Sequence, residues 1–291
     1  MPPFRSLIAS CLALGALFAL GCSDSDEDSS TSALQPDDSA VCQSALFCDD
    51  FESLTAGVAP SGAWATNPNN GSVTVDTTRA FRGAQSVKAS TLSTAETGST
   101  YKQAFMGVTG APVVPVPSQA VYGRMMFYLE SAPATSVHWT FADATGTVPG
   151  QTYHATYRYG GQLPIQGGSQ LMANYDTTDF YQTPPVGPNT DCYQHADGKV
   201  VPVGQWSCAE LFFDGANASM HFWLDGAELT DLAVNRTGEG CVADPQDQTW
   251  VAPTIERLNV GWESYQTDDA RSIWIDDVVF SSTRVGCPGG N

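Results

Sequence analysis

Apolar and polar residues alternate along much of this chain. In 121–130, Val121, Gly123, Met125, Phe127 and Leu129 fall on one side, and Tyr122, Arg124, Met126, Tyr128 and Glu130 on the other. That period of two is the mark of a β-strand. Segment 136–142 sets Val137, Trp139 and Phe141 against Ser136, His138 and Thr140. Segment 153–160 sets Tyr153, Ala155, Tyr157 and Tyr159 against His154, Thr156 and Arg158. Segment 170–176 sets Gln170, Met172 and Asn174 against Leu171, Ala173 and Tyr175. Segments 206–213, 218–224, 257–263 and 272–280 continue the series, and Asp225-Gly226 marks a tight turn because both residues tolerate positive φ. Segment 191–199 reads as a loop. No helix longer than about three turns stands out against the base rate. Many short strands separated by Gly, Pro, Asn and Asp predict an all-β fold, a two-sheet antiparallel β-sandwich or jelly roll over 42–291.

The first 41 residues follow a different pattern. Residues 1–5 carry one positive charge, and 7–20 form an uncharged apolar run. The run is too short to span a bilayer and suits a secretory leader. It ends in Ala-Leu-Gly-Cys at 19–22, which resembles a bacterial lipobox with Cys22 as the lipidated residue. The leader is therefore predicted over 1–21. Segment 22–41 is rich in Ser and Asp and has no base, so it reads as a disordered tether behind the lipid. Together these predict an exported, lipid-anchored protein of a bacterial membrane. Ser23 after the lipidated Cys permits sorting to the outer membrane or cell surface.

Cysteine parity agrees with this division. The chain has eight Cys. Cys11 leaves with the leader and Cys22 takes the lipid. The six that remain are Cys42, Cys48, Cys192, Cys208, Cys241 and Cys287, an even number that implies disulfides in an exported protein. Cys42 and Cys48 are placed to close a small loop, and Cys287 to tie down a terminal strand. No Cys-x-x-Cys spacing occurs, which argues against a zinc or redox site.

Charge narrows the partners. The formal net charge is −19, from 31 acids and 12 bases. Nucleic acid is excluded as a partner, since phosphate binding needs clustered Lys and Arg. The predicted strands nevertheless carry Tyr, Arg, His, Gln and Asn opposite their apolar faces. Aromatic faces stack on pyranose rings, while amides and Arg bond hydroxyls and carboxylates. That composition predicts a polysaccharide partner on a monomeric domain whose scarce bases, Arg124, Arg158 and Lys102, gather in the groove.

Several segments carry a family resemblance. They are Leu-Phe-Cys-Asp-Asp-Phe-Glu at 46–52, Phe-Arg-Gly-Ala-Gln-Ser at 81–86 and Gly-Arg-Met-Met-Phe-Tyr at 123–128. Val-His-Trp at 137–139, Tyr-Arg-Tyr-Gly-Gly at 157–161, Gln-Trp-Ser-Cys-Ala-Glu at 205–210 and Ile-Trp-Ile-Asp-Asp-Val-Val at 273–279 complete the set. Over roughly 44–287 the chain resembles the concanavalin A-like jelly rolls, most closely the cellulose-induced-protein-like family related to glucuronan and alginate lyases. The resemblance implies a structural Ca²⁺ where the first and last strands meet, held by Glu52, a carbonyl between Arg82 and Gln85, and Asp276 or Asp277. Alternation puts Asp276 and Asp277 on opposite faces, and Asp276 is favoured.

The chemistry follows from what is present. No Glu-x-Asp-x-Glu strand occurs, and Glu210, Glu256 and Glu263 are isolated on separate strands, which disfavours a glycosidase. Elimination on a uronic acid instead needs a group for the carboxylate, a base for the C5 proton and an acid for the leaving oxygen. The resemblance implies Arg124, His138, Gln170 and Tyr175 as the catalytic set, although Ser136 stands where lyases of this kind carry Gln. Tyr122, Tyr128, Arg158, Asn174, Tyr193 and His195 are candidate sugar contacts. The function expected is a surface-anchored lyase of a polyuronate. The alternative is a carbohydrate-binding lipoprotein without catalysis.

Overall fold

The computed structural model describes residues 38–242 and 249–288. The leader, Cys22 and most of the tether lie outside the described residues. The end of the predicted tether does not continue as coil: a short helix, α1 (Asp38–Ser44), leads into the domain.

Strand formation follows the period-two pattern and then extends beyond it. The early strands are β1 (Phe47–Asp49), β2 (Trp64–Asn69), β3 (Gly71–Asp76), β4 (Ser86–Thr91) and β5 (Lys102–Val108). The middle of the chain supplies β6 (Ala120–Leu129), β7 (Trp139–Thr147), β8 (His154–Ile165), β9 (Gly168–Asp176), β10 (Asp191–Val200), β11 (Trp206–Asp214) and β12 (Ser219–Leu224). Three two-residue strands follow, β13 (Ala227–Glu228), β14 (Val234–Asn235) and β15 (Gly240–Cys241). The series ends with β16 (Arg257–Ser264) and β17 (Arg271–Ser281). One further helical turn, α2 (Thr94–Thr97), is closed by a capping box in which Ser93 and Glu96 satisfy each other's backbone N–H groups.

All pairings between strands are antiparallel, in two sheets. A nine-stranded sheet runs β13-β12-β11-β6-β17-β4-β3, with β1 added on β17 and β14 on β12. An eight-stranded sheet runs β15-β10-β9-β8-β7-β16-β5-β2. The all-β, two-sheet sandwich expected from the sequence is the observed fold.

The core lies between the sheets, where their apolar faces meet. Phe127 of β6 packs 5.5 Å from Phe141 of β7, and Tyr159 of β8 stacks 5.6 Å from Phe213 of β11. Trp139 and Trp262 stack at 4.8 Å, and the Trp139 indole N–H donates to Ser169 Oγ at 2.7 Å. Each such aromatic, fully withdrawn from water, contributes about 1.5–3 kcal/mol.

The structure corrects several local expectations. Segment 191–199 is strand β10, not a loop. Its polar face hid it, and it is fixed by pairing with β9 and by a Cys192–Cys241 disulfide to β15. Residues 136–138 precede β7, so His138 sits at a strand mouth. A bulge lies in β7 where its register on β8 shifts between Thr140 and Ala142. It leaves Phe141 and Ala142 both in the core and turns Asp143 to the face of Thr140. A second bulge in β17 places Asp277 at φ 48°. Alternation therefore fails there, and Asp276 and Asp277 both reach Arg82.

The other disulfides are Cys42–Cys48, which closes the loop between α1 and β1, and Cys208–Cys287, which ties the chain end to β11.

Candidate functional site

The face of the eight-stranded sheet turned away from the core is polar. Because Tyr157 and Tyr159 of β8 point inward, Arg158 points out. Because Leu258, Val260 and Trp262 of β16 point inward, Asn259 and Glu263 point out with it. A cavity of about 440 Å³ opens on this face, lined in part by Tyr101, His138, Arg158, Asp176, Glu263 and Tyr265.

Arg158 is its centre. Asp176 Oδ1 lies 2.5 Å from its Nη1, and Glu263 Oε2 lies 3.7 Å from its Nε. Burial opposes the charge, but Asp176, Tyr265, Glu263 and Asp143 together outweigh it and hold the guanidinium protonated. Glu263 is gripped by two phenols, accepting from Tyr265 at 2.5 Å and from Tyr101 at 2.8 Å. Burial pushes Glu263 above the usual carboxylate range, with Arg158 pulling it back. Burial also pushes the Tyr265 phenol well up, so it stays protonated. Asp143 lies beneath, bonded at 2.7 Å by Asn259 Nδ2, and burial pushes it up to about 7 against the pull of Arg158.

His138 stands at the cavity edge. Its backbone N–H donates to Gln266 Oε1 at 2.6 Å, and its ring lies 5.0 Å from that of Tyr265. Its Nε2 is buried and has no hydrogen-bond partner. Burial, then Arg158, then His195 push its pKa down to about 3. His195 on β10 likewise has a buried Nε2 without a partner, while its Nδ1 lies 2.9 Å from Glu239.

The predicted set is only partly brought together. His138, Arg158, Gln170, Asn174, Tyr193 and His195 lie on or beside this sheet. Gln170 is tied by its amide to the Ala196 carbonyl at 2.7 Å, and Asn174 Nδ2 to Asp191 and Cys192, both at 2.8 Å. Tyr175 is elsewhere. It is buried in the core, stacked 5.9 Å from Trp250, because its neighbours Asn174 and Asp176 take the outward positions. Arg124 is on the other sheet, paired in register with Glu210 of β11 and coupled to Asp277. Tyr122 and Tyr128 share its strand and face, Tyr122 stacked 4.3 Å from Phe212 and Tyr128 edge-on to Trp206 at 5.9 Å. Lys102 is buried, its ammonium near the carbonyls of Asp268 and Gln266 at 3.3 and 3.5 Å. The scarce bases therefore do not converge. Arg158 alone faces Asp143, Asp176, Asp191 and Glu263.

Sequence reasoning passed over Tyr101, Asp143, Asp176 and Tyr265, and weighed Glu263 only as an isolated glycosidase acid. Glu263 and Tyr265 carried a signal: they follow the apolar alternation of 258, 260 and 262 on its polar side. Asp143 carried none, because the bulge in β7 decides its face.

The implied calcium ligands sit apart from this cavity, on the nine-stranded sheet. Glu52 Oε1 accepts from the backbone N–H groups of Ala84 and Gln85 at 2.9 and 3.0 Å. Asp276 Oδ2 accepts from Phe81 and Arg82 at 2.8 and 3.3 Å. Gln85 donates to the carbonyls of Phe51 and Leu54 at 2.6 and 2.9 Å. Around the turn at 81–85 these carboxylate and carbonyl oxygens are thus engaged by backbone N–H groups and by the Gln85 amide. Asp276 is fully buried, and burial pushes it up to about 7, a cost that a cation would offset. Among the described residues no group of three His, Cys, Asp or Glu is placed to hold a metal.

Comparison with known proteins places this architecture. Among solved structures, the chain is similar to cellulose induced protein, Cip1, with a TM-score of 0.54 and 24% identity, over 83% of this chain and 99% of that one. It also aligns with the alginate lyase Aly36B, at a TM-score of 0.45 and 9% identity, over 84% of this chain and 99% of that one. No curated protein matches it. The family model for the Cip1-like core domain of the polysaccharide-lyase-like proteins matches residues 50–283, and the chain belongs to that family.

Proposed function

We propose that this chain is a lipid-anchored lyase that cleaves a uronic-acid polysaccharide by β-elimination. The observation that carries the proposal is the placement of His138, whose Nε2 has no hydrogen-bond partner, on a cavity that Arg158 and Tyr265 also line. In this reading Arg158 faces the substrate carboxylate. Neutral His138 takes the C5 proton on Nε2. The C5 electron pair forms the new C4–C5 double bond as the bond from C4 to the leaving oxygen breaks. Tyr265 gives that oxygen its proton, and Glu263 orients the phenol. No nucleophile or redox partner is needed.

Turnover of alginate or glucuronan by the full chain would generate unsaturated uronate ends, read by their ultraviolet absorbance. Replacement His138→Ala should abolish that signal while leaving the melting temperature near that of the parent. A parent that gives no absorbance rise on any polyuronate would end the lyase reading.

The crowd of carboxyls around Arg158 favours one other reading, a carbohydrate-binding lipoprotein that holds a glycan on this face without cleaving it. Retained glycan binding with no absorbance change would select it.

Two further parts belong to the proposal. Cys22 carries the lipid, supported by the leader and the lipobox-like residues before it. A structural Ca²⁺ would be held by Glu52, a carbonyl between Arg82 and Gln85, and Asp276, where it would lock the first strands to the last.

A further inference from the structure

The outer face of the nine-stranded sheet carries a row of side chains in continuous register. Lys88 of β4 pairs with Trp274 of β17, Trp274 with Tyr128 of β6, and Tyr128 with Trp206 of β11. At about 4.8 Å between strands, these four positions span about 14 Å. Phe81 closes the row, 5.9 Å from Trp206 and edge-on to it.

Two cations lie on these rings. The Arg79 guanidinium is centred 4.2 Å over Tyr128 and 4.8 Å over Trp274. The Lys88 ammonium is 4.6 Å over Trp274. Ring faces hold a cation in place without neutralising it. Among the described residues no carboxylate forms an ion pair with either side chain. Asp76, the nearby acid, accepts the Trp274 indole N–H at 2.9 Å, and Lys88 holds it below its ordinary value only as the last of several causes. In a protein with 31 acids and 12 bases, an oriented and half-exposed pair of cations beside aromatic rings is a local reversal of the molecule's charge.

We propose that this ledge is a second polysaccharide-binding site, for an anionic glycan chain. Arg79 and Lys88 would pair with successive carboxylates, and Trp206 and Phe81 would flank the sugar rings. The occupant is set by charge complementarity: a neutral glycan leaves both cations unanswered. The site lies on the sheet opposite the Arg158 cavity and does not depend on the lyase reading, since it predicts binding and not turnover.

The test measures retention of the full chain in gels containing alginate, with dextran gels as the neutral reference. All proteins carry His138→Ala to suppress any cleavage. The Arg79→Gln/Lys88→Gln variant should bind alginate about tenfold more weakly, the loss of two charge-assisted contacts at a wet surface. Its behaviour in dextran and its melting temperature should match the parent. Lys88→Gln alone, at a surface ammonium, should give a smaller loss in the same direction, and serves if the double variant does not fold. Equal retention of parent and variants in alginate overturns the proposal. So does a parent that sediments with phosphatidylglycerol vesicles and is not retained by alginate, which would assign the ledge to a membrane surface.

Discussion

His138 and Asp143 occupy one polar face and respond to pH with opposite sign. His138 falls from an ordinary 6.5 to about 3 on folding. Between those values the unfolded chain takes up a proton that the folded chain refuses, so this contribution to stability is full above 6.5 and shrinks as pH drops. Asp143 rises from 3.8 to about 7. Here the folded chain keeps a proton that the unfolded chain releases. Its contribution is full at low pH and is lost as pH climbs through about 7. Asp143→Asn removes only the second effect. The melting temperature of the variant relative to the parent should therefore rise with pH between 3.8 and about 7 and then level off, with a slope of at most about 1.4 kcal/mol per pH unit. Parallel melting curves across that range would show that Asp143 does not titrate as its burial implies. At this scale the sequence was legible wherever alternation held. Arg158 and His138 were found on the polar side of their segments. Tyr175 was misplaced because the alternation that turns Asn174 outward turns Tyr175 into the core.

At the scale of the element, bulges decide what alternation cannot. The bulge of β7 that turns Asp143 to the polar face is made against β8, where Gly160 faces the backbone of Trp139. A Cβ on Gly160 would stand 1.8 Å from the Trp139 carbonyl oxygen and 2.8 Å from the Thr140 Cα. These are backbone atoms, so the strand itself must move. Gly160→Ala should cost about 1–3 kcal/mol or more in thermal unfolding, as overpacking of a fixed site does. Because Trp139 adjoins His138, it should also impair whatever the cavity does. Gly110→Ala, with open space around its Cβ, is the matched control and should lie within about 0.5 kcal/mol of the parent. A Gly160→Ala protein as stable as the control would mean that the bulge is not packed as described. Strand β10 shows the opposite limit. Its residues Tyr193, Gln194, His195 and Asp197 give little apolar alternation, and pairing with β9 and β15 makes them a strand.

At the scale of the molecule, the sandwich sorts residues by sheet, and that sorting separates groups that look alike in sequence. Arg124 and Arg158 both sit on polar strand faces amid aromatics. One lies on each sheet, so the core stands between them. The two ends of the domain meet on the nine-stranded sheet, where β1 pairs with β17 and Cys208–Cys287 fixes the end of the chain. The calcium proposed at the turn at 81–85 belongs to this scale, since it would join β1, that turn and β17. A chelator should lower the melting temperature of the full chain, and Ca²⁺ should restore it. A site at hundredfold saturation contributes about 2.7 kcal/mol. No change with chelator would remove the ion from this fold.

The sequence alone determined the sheet class, most strand positions, the even cysteine set of the domain and the family, because these rest on local periodicity, parity and motifs read along one chain. Tertiary structure decided which polar faces share a sheet, which acids surround Arg158, which cysteines pair and where the uncompensated cations lie. Those are relations between strands distant in sequence. A single bulge or sheet assignment reverses them without leaving a mark in the alternation.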